Sequence, residues 1–433
     1  MHYRVQLRLK QDLLKYFLIQ IMLVADLHLH SKYSRATSKD MDLESLEKWA
    51  GIKGINVLGT ADFTHPLWLE GLKNKLEPAE EGLFKIKNGS VRFLLSTEIS
   101  CIYSKGGKVR KIHIIVLAPS FEAVGKINAK LDKIGNLKAD GRPILGLDAL
   151  ELAKICWDAS KDCLVIPAHA WTPWFGIFGS KSGFDSMEEC FGDYSKYIYS
   201  IETGLSSDPA MNWRLSSLDN ITLISNSDSH SPSKIGREAN VLNVGVNYSE
   251  ITGAIKEGSP DKFLYTVEFF PEEGKYHYDG HRACEVSLSP QESKKYNNIC
   301  PVCGRPLTIG VMNRVEELAD RPEGFKLEGA VPYKSLVPLK EIIAEVLGVG
   351  AGSLKVGKAY DSLIKNIGSE FEILLSADKK DLAGTAGPEI AEGVVRVREG
   401  KVQVEPGYDG VYGKVKIFSQ NEERGKIRQK TLF

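Results

Sequence analysis

The chain has 433 residues, enough for two or three domains and an ample core, with 56 Lys and Arg against 56 Asp and Glu. A formal charge of zero excludes a protein that is basic throughout; any nucleic-acid surface must be a local patch. No apolar stretch is long enough to span a bilayer, and the seven cysteines are not spaced as a secreted disulfide framework, so a reducing cytosol is expected.

Residues 1–21 are basic and partly apolar without a small-residue cleavage site. They read as a non-native or frayed extension before Met22, with a membrane-surface helix as the alternative. From Met22 to about Phe270, apolar strand-like runs alternate with helix-patterned stretches such as Leu43–Ala50, Phe121–Ile134 and Leu147–Ala159. This βα repetition argues for a parallel barrel over 22–270. Pro271-Glu272-Glu273-Gly274 reads as a linker into a cysteine-rich segment, 271–310. Beyond it, 311–418 combines a polar helical region with a small β element over 394–418. The end, 419–433, reads as a flexible tail.

The strand-like runs end in chemistry. The first reaches Asp26-Leu27-His28-Leu29-His30, and alternation along a strand would set both imidazoles on one face with Asp26 beside them. Later runs end in Asp62, Glu98, His169 and the pair Asp228/His230, and another carries His113. Five of the nine histidines lie at such places. Parallel barrels gather functional groups at the C-terminal ends of their strands. Imidazoles as terminal ligands and carboxylates as bridges are what clustered divalent ions need. The expected ligands are therefore His28, His30, Asp62, Glu98, His113, His169, Asp228 and His230.

A second metal site is expected at His281-Arg282-Ala283-Cys284 and Cys300-Pro301-Val302-Cys303. Two short pairs separated by fifteen residues match a zinc ribbon, with His277 as an alternative fourth ligand. Four protein ligands would make this zinc structural. Cys101, Cys156, Cys163 and Cys190 are left as core or surface thiols.

The order His-x-His, Asp, Glu, His, His, Asp-x-His resembles the PHP (polymerase and histidinol phosphatase) superfamily of metal-dependent phosphoesterases. More narrowly, His30-Ser31-Lys32-Tyr33-Ser34-Arg35, Pro167 through Trp174, and Ser225 through Pro232 are similar to the endonuclease Q family. The resemblance implies an α/β fold: a distorted barrel of about seven strands, (β/α)7, then a zinc ribbon and an α+β C-terminal region. It also implies a damage-specific DNA endonuclease that nicks on the 5′ side of uracil, hypoxanthine, xanthine or an abasic site. One departure is Asp62-Phe63 where many superfamily members have Asp-His; the missing ligand is absent or supplied by Asp62 or His65. Two or three ions would bind, Zn²⁺ or alternatively Mn²⁺ or Mg²⁺. Glu98 would bridge them, and Asp228 would bind metal and orient the nucleophilic water.

Several loops are candidates for reading the substrate. Trp171, Trp174, Phe175, Phe178 and Phe184 follow the His169 strand. They can stack on an extruded base or pack against the barrel rim. Lys32, Tyr33, Ser34, Arg35 and Arg237 can hold phosphates. The alternatives to a nuclease are a small-molecule phosphatase of the histidinol-phosphate type and a non-catalytic repair module. The final Gln429-Lys430-Thr431-Leu432-Phe433 resembles the short peptide by which bacterial repair proteins bind the sliding clamp, with Gln429, Leu432 and Phe433 as its contacts. Damaged DNA and a sliding clamp are the expected partners, no membrane is expected, and the expected place is the nucleoid of the cytoplasm.

Overall fold

The computed structural model describes residues 22–419; the expected N-terminal extension and the clamp-binding tail lie outside them. The chain forms an α/β fold around a mixed sheet of eleven strands. Its central members are β1 (Leu23–Asp26), β2 (Val57–Gly59), β3 (Arg92–Lys105), β4 (Lys108–Ala118) and β5 (Leu164–Pro167). Short β6 (Ser200–Glu202) and β7 (Thr222–Ile224) form a separate parallel pair. β8 (Ala239–Leu242) and β9 (Phe263–Glu268) extend the main sheet beyond β1.

The parallel expectation holds for β1–β2–β3 and for the separate pair β6–β7, and fails for β4, β5 and β8. β3 and β4 are a long antiparallel hairpin, β5 is antiparallel to β4, and β8 is antiparallel to both β1 and β9. The reason lies at the tip Lys105-Gly106-Gly107-Lys108. Both glycines have positive φ, 60° and 73°, so the chain reverses there without a crossover helix. β5 is followed by β6 and β7, where Ala170 N–H donates to Glu202 O (2.9 Å). A bridge between Leu29 and Ser229 returns the pairing to the end of β1.

Strand residues alternate between two apolar layers. Leu23, Ala25, Val57, Leu94, Ile115, Leu117, Leu164 and Ile166 pack together with the helix Tyr248–Glu257. Val24, Leu58, Phe93, Leu95, Ile114, Val116 and Val165 pack in the larger core with α1 (Leu43–Lys53), α2 (Phe121–Leu131) and α3 (Ala149–Ala159). The caps set these helix ends. Asp42, Ser120 and Asp148 each accept a first-turn N–H, and Gly54 closes α1 in the left-handed region. All four lone cysteines of this part, Cys101, Cys156, Cys163 and Cys190, are buried.

The rest of the chain is less separate than its composition suggests. Tyr333–Ser335 adds a strand parallel to β9. Arg314, on α4 (Val311–Leu318), donates to the carbonyls of Phe178 and Phe184. Two long helices follow, α5 (Leu339–Leu347) and α6 (Leu354–Asn366). Residues 394–398, expected to begin a β element, are the end of the helix Pro388–Arg398; only Gln403–Glu405 and Lys414–Lys416 pair. Pro388 fits the first turn of that helix, and its apolar residues recur at helical spacing. Among the described residues no helix is long and apolar enough to cross a membrane.

One buried ion pair joins the two ends of this assembly. Lys53 Nζ lies 2.8 Å from Glu370 Oε2, and the same carboxylate accepts from Tyr360 Oη (2.6 Å) and Leu339 N (3.1 Å). Removing one partner strands a charge away from water. Glu370→Ala should therefore lower stability by about 3–5 kcal/mol. Urea unfolding followed by circular dichroism checks this; an unchanged midpoint would contradict it.

Candidate metal centre

The functional groups gather where β1, β3, β4, β5 and β7 meet. β1 stops at Asp26, so His28 and His30 are carried on the loop that follows rather than on a strand. Asp26 turns away from them and accepts the amides of Ser227 and Gly236 at 3.0 and 2.8 Å. Glu98 is mid-strand, not terminal. In the hairpin register Glu98 faces Ile115 and Ser100 faces His113, so Glu98 and His113 are diagonal neighbours on one face. Asp62, His169 and Asp228 follow strand ends with positive φ of 43°, 28° and 44°. Such backbone costs of order 1–3 kcal/mol per residue and persists only where the surroundings enforce it. Here it turns His169 and Asp228 into the centre and Asp62 onto the loop behind His30.

Two donor groups result. His28, His30 and Asp228 form one, and Glu98, His113 and His169 the other; within each, the donor atoms lie within 4.8 Å of one another. Glu98 links them. Its Oε1 is 2.6 Å from His113 Nδ1 and 3.1 Å from His169 Nε2. Its Oε2 is 3.2 Å from His30 Nε2 and 3.6 Å from His28 Nε2. His28 Nε2, His30 Nε2 and Asp228 Oδ1 are buried and face one another, the two imidazoles at 3.8 and 3.0 Å from Asp228 Oδ1, with no well-aligned hydrogen bond among them. Orphaned buried donors and acceptors are rare. Imidazole nitrogens and carboxylate oxygens converging on one point fit a divalent cation.

The supporting groups fix the tautomers. Glu202 accepts from His28 Nδ1 with both oxygens, at 3.0 and 3.1 Å, which leaves the Nε2 lone pair facing the centre. It also accepts from His169 N and Asn226 Nδ2. Sequence reasoning missed Glu202. Its only signal is an acid at the end of the short run Ser200–Glu202, the pattern that marked the others.

Asp62 was expected as a ligand, and the structure places it behind His30 instead. Its Oδ2 accepts from Ser31 N, Ser31 Oγ and Ser34 Oγ at 2.7, 2.6 and 2.8 Å, and its Oδ1 lies 3.4 Å from His30 Nδ1. A side chain on Gly141 would collide with Asp62 and Ser34, so only glycine lets that loop close over them. His230 stands beside the centre and outside both groups. It is half-buried, its Nδ1 bonds to Asp228 O at 3.0 Å, and its ring is 4.4 Å from that of His30. His65 lies off the centre, stacked on Tyr33 at 4.4 Å.

Electrostatics favour positive charge at this point. Burial alone would lower the pKa of His28 and His30. Glu202 and Glu98 around the first, and Asp228, Asp62 and Glu98 around the second, hold both well above the ordinary histidine value. Burial likewise opposes ionisation of Glu98 and Asp228. His113, Arg142 and His28 nevertheless keep Glu98 far below the usual carboxylate range, and His30 and His28 do the same for Asp228. His113 is pushed down to about 4, chiefly by burial, so it is a neutral imidazole at neutral pH with one ring nitrogen free to act as a ligand. A divalent ion would take the place of the protons the other imidazoles share with carboxylates.

At the second candidate site, donor atoms of His281, Cys284, Cys300 and Cys303 lie within 4.8 Å of one another. Against burial, the amides of Cys303 and Val302 hold the Cys300 thiol down to about 7. His277 is buried elsewhere, stacked on Tyr278.

Comparison with solved structures decides the family. Superposed on the lesion-specific endonuclease PfuEndoQ from Pyrococcus furiosus, the chain gives a TM-score of 0.82 at 31% identity, with 94% of this chain and 100% of the other covered. The chain belongs to the endonuclease Q family. An endonuclease Q structure in complex with a 27-mer duplex bearing an abasic lesion at its active site matches with a TM-score of 0.81 and 32% identity, over 92% of this chain and 97% of that one. YqxK of Bacillus subtilis is 31% identical over 413 residues, 90% of this chain and 98% of the relative. MJ0043 of Methanocaldococcus jannaschii is 35% identical over 264 residues, 59% of this chain; the match spans about a third of that relative, 32%. The family model for the MJ0043 C-terminal domain matches residues 338–401.

On this endonuclease Q scaffold the expected substrate-reading residues divide. Trp171, Phe178 and Phe184 are each about 1% exposed. Trp171 donates from Nε1 to Asn212 Oδ1 at 2.8 Å; these three pack the rim and cannot stack on a base. Trp174 is 47% exposed. Phe175 is half-buried, 4.3 Å from the His113 ring, and walls the centre. Lys32 and Arg35 are exposed, while Ser34 is committed to Asp62. Arg237 donates from Nε to Ser227 O at 2.8 Å and from Nη2 to Asp228 O at 3.3 Å, holding the loop that carries Asp228. Arg142 was not foreseen. Its Nη1 lies 3.0 Å from Glu98 Oε2 and its side chain is partly exposed. The local run Asp140-Gly141-Arg142-Pro143 gives no pattern that would reveal this.

Proposed function

We propose that the chain is a metal-dependent DNA endonuclease that hydrolyses a phosphodiester on the 5′ side of a damaged nucleotide, an abasic site or a deaminated base. The observation that carries this reading is the pair of donor groups bridged by Glu98, in a chain that matches a lesion-specific endonuclease along almost its whole length. The strand pairings and the return from Ser229 to Leu29 support a distorted PHP-type barrel as the scaffold.

His28, His30 and Asp228 would hold one cation, His113 and His169 another, with Glu98 between them. Zn²⁺, Mn²⁺ and Mg²⁺ are the candidate ions. Bound cations would lower the pKa of a water and neutralise the phosphate. The chain's own residues do the rest. Glu202 and Asp62 orient His28 and His30. Arg142, with donors beyond the one spent on Glu98, reaches toward a phosphate placed at the centre and offsets its charge. Trp174 is the aromatic placed to stack at a lesion once its base is extruded. His281, Cys284, Cys300 and Cys303 would hold a structural zinc. Incision would leave a 3′-hydroxyl and a 5′-phosphate.

The test is incision of labelled duplexes carrying uracil, hypoxanthine, xanthine or an abasic site, with undamaged duplex and a chelator-treated enzyme as controls. Cutting confined to damaged duplex and lost on chelation is expected. Equal cutting of undamaged duplex, or no cutting with any metal restored, would overturn the proposal. Within it, Glu202→Gln should reduce metal affinity or cleavage by about 10–100-fold, because His28 loses the carboxylate that fixes its tautomer. Metal titration of the variant checks this.

A further inference from the structure

A cleft of about 260 Å³ lies between α1, the turn after His230 and the helices α5 and α6. At roughly 30 Å³ per water, that is room for a hydrated phosphodiester. Its walls carry Lys53, Lys234, Arg237 and Lys340 against two carboxylates, Glu341 and Glu370. In a chain of formal charge zero, this is a local excess of positive charge.

The pairing shows where the excess resides. Lys53 is taken by Glu370 at 2.8 Å and Lys234 by Glu341 at 2.9 Å. Among the described residues, Arg237 and Lys340 make no ion pair. Arg237 spends donors on the carbonyls of Ser227 and Asp228 and so ties the cleft to the metal centre. The Lys340 ammonium stands 5.3 Å from the ring centre of Trp49 and 4.7 Å from that of Tyr360. These aromatic faces hold it in place without neutralising it.

We propose that this cleft binds a backbone phosphate of the DNA flanking the cut, an inference that rests on the endonuclease reading above. Lys340 and Arg237 supply the charge. Seven of the twelve residues lining the cleft come from the segment matching the MJ0043 C-terminal domain, so that domain sets the register of the duplex at a distance from the chemistry.

The test compares the full-length protein with Lys340→Gln by fluorescence anisotropy on a long abasic duplex over a range of salt. Lys365→Gln, exposed on the far end of α6, is the control. Lys340→Gln should weaken binding about five- to tenfold at low salt and make the slope of log K against log salt shallower by about 0.9, the loss of one phosphate contact; the control should match wild type. Trimming the duplex from one end should, at one length, bring wild type down to the variant's affinity and abolish the Lys340 effect. Identical affinity and slope for Lys340→Gln and wild type would overturn the inference. So would a loss of the same size on every duplex length, the mark of a general structural effect. If wild type cuts damaged DNA in either of those cases, only the cleft assignment falls. If wild type neither binds nor cuts it, the endonuclease reading falls too.

Discussion

Glu98→Gln should lower the rate of strand cleavage by about 10³-fold or more while leaving the fold intact. The carboxylate is fully buried, and each of its oxygens faces a different donor group. Glutamine keeps the volume but removes the charge and turns an NH₂ toward imidazole nitrogens that need an acceptor or a cation. Arg142, and any ions that the two donor groups would hold, depend on this one group for their positions. Stabilisation of transition-state charge by bound ions is worth several kcal/mol, and each 1.36 kcal/mol is about tenfold in rate. Single-turnover nicking of an abasic duplex, with a thermal melt to verify folding, is the measurement. A folded variant cutting within tenfold of wild type would rule out Glu98 as the bridge.

If the proposed structural zinc is bound, Cys300→Ser should remove it and loosen residues 279–308, with little change in any metal held at the Glu98 centre. This segment has scant apolar core of its own. A three-residue strand pair, Asp279–His281 with Val286–Leu288, and the short helix Pro290–Lys295 are its regular elements, and Val302 is 69% exposed. The four converging ligands are what can hold it together. Structural zinc contributes about 10–16 kcal/mol to folding in small domains of this type. Serine lacks the thiolate, and the amides of Val302 and Cys303 lose the charge they point at. Metal counting by mass spectrometry together with hydrogen exchange checks the prediction. Unchanged zinc content with unchanged exchange over 279–308 would refute it.

The donor atoms were legible in the sequence because metal chemistry restricts residue type. His28, His30, Glu98, His169 and Asp228 stand at or near the ends of apolar runs and His113 within one, and the spacing of His281, Cys284, Cys300 and Cys303 is short enough to close a site locally. Helices were legible to within a few residues at their ends, since apolar periodicity is local: the stretches 43–50, 121–134 and 147–159 form Leu43–Lys53, Phe121–Leu131 and Ala149–Ala159. What the tertiary structure alone decided depends on partners distant in sequence. The turn at Gly106-Gly107 is a local cue for the antiparallel β3–β4 pairing, but the placing of Glu98 beside His113 depends on how that register runs on through strands far longer than the turn. Glu202 lies 174 residues from His28, and Arg142 is 44 residues from Glu98. Asp62 and Ser34 carry the residue types of a ligand and a phosphate contact, yet Ser34 Oγ is turned to Asp62 Oδ2, and Asp62 stands behind His30, outside both donor groups. Trp171 looks like a stacking residue until its indole is found in the core, bonded to Asn212. A side chain's chemistry is written in its identity; its role is set by which lone pairs and faces remain free after folding, and that is a property of its neighbours in space.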